Sequence, residues 1–207
     1  MHRNNFSIIF LLSIFVVSCS GSVEKESIYK NADNTAYVEY LWCKNGPDMS
    51  QEAFTSMISE WNEILDGLET AVPMSVGVVP RTETDLYDGM WVLVWESKAQ
   101  SEKGWDEWLA GPAEAWTEKT SSILSCGASD NGEELNYAFN VSSFRVAGAQ
   151  DSEPGGVAGF AFCSYNESFG SNELLASIDT YNGWLDAAQE AAGTASPYLY
   201  TIHEPEF

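Results

Sequence analysis

The sequence predicts an α+β fold made of two consecutive copies of one strand–helix unit, the second copy incomplete. Three observations predict it. The chain resembles itself at a shift of 120 residues. Strand-type and helix-type apolar patterns follow one another in the same order in both copies. The 207 residues are 44% hydrophobic and 13% aromatic, enough for a real core and against global disorder.

The first element is an export signal. Residues 1–7 carry His2, Arg3 and no acid, and residues 8–17 are apolar except for Ser13. This run is shorter than the ~20 residues a spanning helix needs, and fits the apolar core of a signal peptide. It ends in Val16-Val17-Ser18-Cys19, followed by Ser20-Gly21-Ser22. That stretch resembles the bacterial lipobox. The resemblance implies that diacylglycerol alkylates Cys19 and that cleavage leaves it as the new N-terminus. An ordinary secretory signal cut after Ser18 or Ser20 is the other reading. The expectation is a signal peptide over 1–18, a polar tether over 19–34, and a protein lipid-anchored on the periplasmic or outer face of the envelope, otherwise secreted. No later stretch approaches ~20 apolar residues.

The first unit is expected over 35–146. Residues 37–42 read as a strand rich in aromatic and apolar residues. Ser50 can cap the helix that follows, whose Phe54, Ile58, Trp61 and Leu65 fall on one face. Residues 74–79 and 90–95 are the next two strands. In the latter, Trp91, Leu93 and Trp95 point one way and Met90, Val92 and Val94 the other, so both faces should be covered. Trp105, Trp108, Trp116 and Ile123 lie in a helical stretch interrupted at Gly111-Pro112. Residues 135–144 close the unit as a strand.

Residues 147–156 read as a linker from their Gly, Pro and acidic content. The second unit is expected over 157–207. Residues 157–162 repeat the first strand, and Ser171 can cap a helix striped by Leu174, Ile178, Tyr181 and Leu185. A strand at 198–203 follows. The copy then lacks its second strand pair and second helix, so it is completed either by further polypeptide or by another chain.

The order strand–helix–strand–strand–helix–strand is the split βαβ, ferredoxin-like pattern. Two fused units with sheets apolar on both faces resemble the dimeric α+β barrel superfamily, in which two sheets face each other around a barrel and helices cover the outside. The resemblance covers nearly all of residues 35–207 and rests on element order. It implies a central pocket and, among members, cofactor-free oxygenases, haem peroxidases, isomerases and proteins without known chemistry. The chain departs from the haem members, lacking their histidine on the second-unit helix, and no cofactor or metal is expected.

In a unit of this kind the last strand lies beside the first. Cys126, in the loop before the last strand, then falls near Cys43 at the end of the first. A Cys43–Cys126 disulfide is expected in an oxidising compartment. Cys163 is the repeat of Cys43.

The formal charge is −22; loss of Arg3 with the signal leaves 8 bases against 31 acids, or −23. Such a chain repels nucleic acid and anionic headgroups, so no nucleic-acid partner is expected. Its acids suit a solvated surface, or less simply a cationic partner. After the signal one histidine remains, His203. With Glu204 and Glu206 it makes a thin metal candidate, and a solvated or strand-edge histidine is the simpler reading. The repeated pairs Asn62/Asp66 and Asn182/Asp186 each lie on one side of a helix. Beside Trp61 and Tyr181 they could border a cleft, or serve only helix-to-sheet bonding. Glu39 is the acidic exception among inward positions. These seven residues are the candidate pocket. The expected function is binding of a small apolar or aromatic ligand in the barrel. The alternatives are a cofactor-independent oxygenase or isomerase, and a structural module that self-associates.

Overall fold

A computed structural model describes residues 27–29, 34–82, 84–127, 134–147 and 156–206. Its described residues form an α+β architecture: a six-stranded, wholly antiparallel open sheet with four helices. The elements are β1 (Asn34–Asn45), α1 (Gln51–Leu65), β2 (Met74–Val78), β3 (Gly89–Trp95), α2 (Lys98–Ala110), α3 (Ala113–Thr120), β4 (Leu124–Cys126), β5 (Asn136–Arg145), α4 (Ser171–Ala192) and β6 (Tyr200–Pro205). Signal, tether and linker fall almost wholly outside the described residues, Cys19 among them. No described helix is long and apolar enough to cross a membrane.

The sheet runs β2-β3-β1-β5-β6. β1 is central, with Tyr40 opposite Val92 of β3 on one side and Tyr137 of β5 on the other. β4 and β5 lie end to end along one edge of β1. Trp42 spans the gap, its N–H donating to the Leu135 carbonyl at 3.0 Å and its carbonyl accepting from the Gly127 N–H at 3.0 Å.

The helices start and stop where local chemistry requires. Ser50 Oγ accepts from the Ala53 N–H at the head of α1, and Ser97 Oγ from the Gln100 N–H at the head of α2. Gly111-Pro112 separates α2 from α3, as the sequence indicates. α4 starts one residue earlier than expected. Gly170, not Ser171, occupies the cap, and its N–H donates to Glu173 Oε2 at 2.8 Å.

Alternation along the strands divides the core in two. On the first face Tyr37, Leu93 and Trp95 meet Trp61 of α1, Trp105 and Trp108 of α2, and Trp116 of α3. On the second face Val38, Val92 and Val141 form a cluster with Tyr40, Val78, Val94 and Phe139, built from strand residues alone. Two glycines are fixed by close approach. A Cβ on Gly46 would stand 2.1 Å from the Ser122 carbonyl oxygen, where the end of β1 runs against the approach to β4. One on Gly104 would stand 2.6 Å from the Trp95 ring, which is how closely α2 lies on β3.

Two expectations are corrected. Residues 157–162 form no strand. Their repeat counterpart is a strand because β3 and β5 bond to its two edges. Residues 157–162 have no such neighbours among the described residues, and a strand-type sequence is not a strand without a pairing partner. The last strand, expected at 198–203, spans Tyr200–Pro205 and adds to β5 of the first sheet, with His203 opposite Val141. The unpaired backbone groups along the β5 edge supply its partners.

Candidate functional site

The expected disulfide is present. Cys43 and Cys126 stand directly opposite in the β1–β4 register and are bonded across 83 residues of chain. Closing a loop of this size removes roughly 4–5 kcal/mol of chain entropy from the unfolded state. Cys163 is a free, exposed thiol.

Neighbouring residues of β1 send polar groups to opposite faces, and each becomes a centre. Glu39 faces the helices and is 5% exposed. Its carboxylate accepts from Trp95 Nε1 at 2.7 Å, Trp105 Nε1 at 2.9 and 3.0 Å, Ser101 Oγ at 3.1 Å and Asn136 Nδ2 at 3.1 Å. These donors come from β3, α2 and β5, so one carboxylate ties three elements to β1. All are neutral, and among the described ion pairs none involves Glu39. A buried carboxyl group held by convergent donors satisfies the requirement that buried polar groups be hydrogen-bonded. The buried Trp61 Nε1 and Asn136 Oδ1 atoms have no hydrogen-bond partner among the described residues. A cavity of about 20 Å³, lined by Trp61, Thr70, Trp95, Gly104, Trp105 and Trp108 among others, lies beneath the helices. It has room for one water and not for an organic ligand.

Tyr40 faces the other way. Its hydroxyl lies 3.4 Å from His203 Nδ1, and Thr201 Oγ1 lies 2.8 Å from His203 Nε2. Aromatic rings surround this trio. Phe139 packs edge-on to both Tyr40 and His203, at 5.7 Å from each. Phe160 packs edge-on to Tyr40 at 5.8 Å. The stripe continues through Trp42, whose ring meets Tyr87 at 4.9 Å and Tyr137 at 5.1 Å. Burial pushes the Tyr40 phenol up to about 12 and holds the His203 imidazole below its usual value. At pH 7 both groups are therefore mainly neutral, while each keeps part of its surface exposed.

The other candidate residues are distributed. Trp61 is buried among Trp91, Trp108 and Trp116. Asn62 and Asp66 are exposed at the end of α1, where the Asn62 carbonyl accepts from the Asp66 N–H. On α4, Tyr181 stacks on Trp184 and donates to the Tyr198 hydroxyl. Asn182 bridges the Phe144 carbonyl and the Tyr200 hydroxyl, and Asp186 pairs with Arg145. Tyr181 and Asn182 share Tyr200 as a partner, the α1 and α4 residues do not meet in one site, and of them only Trp61 lines the small cavity. His203, Glu204 and Glu206 do not converge either. Glu204 accepts from Ser27 Oγ and the Ile28 and Tyr29 N–H groups, and Glu206 pairs with Lys98.

Sequence reasoning missed Tyr40, Thr201 and His203 as a group. Only the spatial pairing of β6 with β5 brings them together. No protein-family model matches the chain, and no curated protein matches it.

Proposed function

We propose that this is an exported envelope protein, anchored through a lipid on Cys19, that binds a small apolar or aromatic ligand against the second face of its sheet. The observation that carries the reading is the aromatic stripe of Tyr40, Trp42, Tyr137, Phe139, Phe160 and His203 on that face. Ligand sites combine such apolar walls with a few placed polar groups. The order β5-β1-β3-β2 within residues 34–145 supports a ferredoxin-like first unit. The addition of β6 to β5 supports a second unit docked edge to edge, as the barrel architecture requires. The Cys43–Cys126 disulfide supports an oxidising compartment.

The test is a titration with N-phenyl-1-naphthylamine, a neutral apolar dye that fluoresces when shielded from water. A saturable rise that is lost in Trp42→Ala and Phe139→Ala variants is expected. No saturable rise at any soluble dye concentration excludes the binding reading. Mass spectrometry of the protein from its membrane fraction tests the anchor: a diacylglyceryl adduct on Cys19 is expected, and a bare N-terminus beyond Ser18 excludes it.

A second reading, self-assembly, is favoured by Phe162, which is 97% exposed in a segment with no strand partner. Analytical ultracentrifugation separates the two, since assembly through this segment is lost in Phe162→Ser.

A further inference from the structure

We infer that the Tyr40–His203–Thr201 trio is the polar anchor of the second face, and that it selects an uncharged aromatic ligand bearing a hydroxyl or carbonyl oxygen. The inference rests on the binding reading above and names the ligand class for that site.

Hydrogen-bond accounting carries it. A neutral imidazole has one N–H and one lone pair in the ring plane, and each hydroxyl brings one hydrogen and acceptor lone pairs. The trio makes two internal contacts, Tyr40 to Nδ1 and Thr201 to Nε2. In one tautomer Nε2–H donates to Thr201 and the Tyr40 hydroxyl donates to Nδ1. The Thr201 hydrogen is then left over. In the other, Nδ1–H donates to Tyr40 and Thr201 donates to Nε2, so the Tyr40 hydrogen is left over. Either way one hydroxyl hydrogen has no partner within the trio, and the hydroxyl at the opposite end keeps free lone pairs. Moving the imidazole proton exchanges the two ends. The group can thus donate to a carbonyl or phenol oxygen, and can also accept from a phenol hydrogen.

The surroundings set the rest of the specificity. Phe139 and Phe160 flank the trio with aromatic edges, and Val38, Val92 and Val141 floor it. A flat apolar ring fits such a wall. The trio is neutral and offers no formal charge to an ionised ligand, and a net charge of −22 on the chain disfavours anions further. Weaker binding of the analogue that lacks the oxygen is expected, since it displaces water from the trio without replacing the hydrogen bond.

The test compares 2-naphthol with 2-methylnaphthalene, nearly equal in size, as competitors of N-phenyl-1-naphthylamine on the full-length protein at pH 7. One net hydrogen bond corresponds to roughly three- to tenfold in affinity, so 2-naphthol should bind tighter by that factor. The ratio should fall to about 1 in whichever of Thr201→Val and Tyr40→Phe, both close in shape to the native residues, removes the hydroxyl that meets the ligand, and in the variant carrying both changes. A ratio change reports the polar contact, since general loosening of the fold weakens both ligands alike. Equal affinities in the unaltered protein, or a preference that survives both variants, overturns the inference and leaves the binding reading standing. Failure of every naphthalene and of the dye overturns both.

Discussion

Tyr40 and Phe160, which occupy equivalent positions of the 120-residue repeat, meet edge to face with ring centroids 5.8 Å apart. Here the ring of the central strand packs against a segment that forms no strand of its own. A double-mutant cycle with Tyr40→Ala and Phe160→Ala should show a coupling of about 0.5–1.5 kcal/mol in urea unfolding. A coupling indistinguishable from zero would show that the two rings do not meet in solution.

Glu39→Gln keeps the size of the side chain but turns one acceptor oxygen into a donor facing the Trp95, Trp105, Ser101 and Asn136 donors. At least one buried donor is then left unpaired. A loss of about 1–3 kcal/mol is expected, read as a lower denaturant midpoint at unchanged slope. An unchanged midpoint would mean the carboxylate is not the tie between β1, β3, α2 and β5.

Gly104→Ala reverses the usual sign. In an exposed helix interior this change stabilises by about 1 kcal/mol. Here the added methyl would sit 2.6 Å from the Trp95 ring and 2.9 Å from the Thr70 carbonyl oxygen. Overpacking of this kind costs about 1–3 kcal/mol. Thermal unfolding decides it: a raised midpoint would contradict the packing of α2 on β3.

The second face makes stability fall at both ends of the pH scale. Burial holds His203 below its usual 6.5. As pH drops below about 6.5 the unfolded chain takes up a proton before the folded one does, so stability falls down to the folded pKa. Burial also lifts Tyr40 from 10.0 to about 12. As pH rises from 10 to about 12 the unfolded chain loses that proton first, and stability falls again. Each group contributes a slope of at most about 1.4 kcal/mol per pH unit. In urea titrations His203→Phe should remove part of the acid-side slope and Tyr40→Phe part of the alkaline one; unchanged slopes would place both groups in solvent.

Much of the first unit was legible because its signals are local. Strand alternation, Ser50, the Gly111-Pro112 break and the Trp61 stripe each act within a few residues. The Cys43–Cys126 pairing was legible from element order, since that order sets which strand lies beside the first. Residues 157–162 were misread because strand character is only half of a strand; the other half is a neighbour with free backbone groups. The trio on the second face was invisible for the same reason. His203 looks solitary along the chain, and acquires Tyr40 across two strand pairings, β1 to β5 and β5 to β6. Glu39 was noticed as an acid in an apolar run, but its donors lie 56 to 97 residues away.

The Cys43–Cys126 bond makes the chain a closed ring with two tails. The ring holds α1, β2, β3, α2 and α3, while β5, α4 and β6 belong to the C-terminal tail. A single protease cut between residues 44 and 125 leaves one covalent molecule, which separates into two pieces only after reduction. A single cut between residues 146 and 199 frees a piece carrying β6 and His203 that only noncovalent contacts retain, the β5–β6 pairing and the Lys98–Glu206 ion pair among them. Non-reducing and reducing electrophoresis of a partial digest therefore distinguishes damage to the scaffold from loss of the proposed binding face. The same bond keeps the tryptophan core covalently in one piece when the chain is cut within the ring.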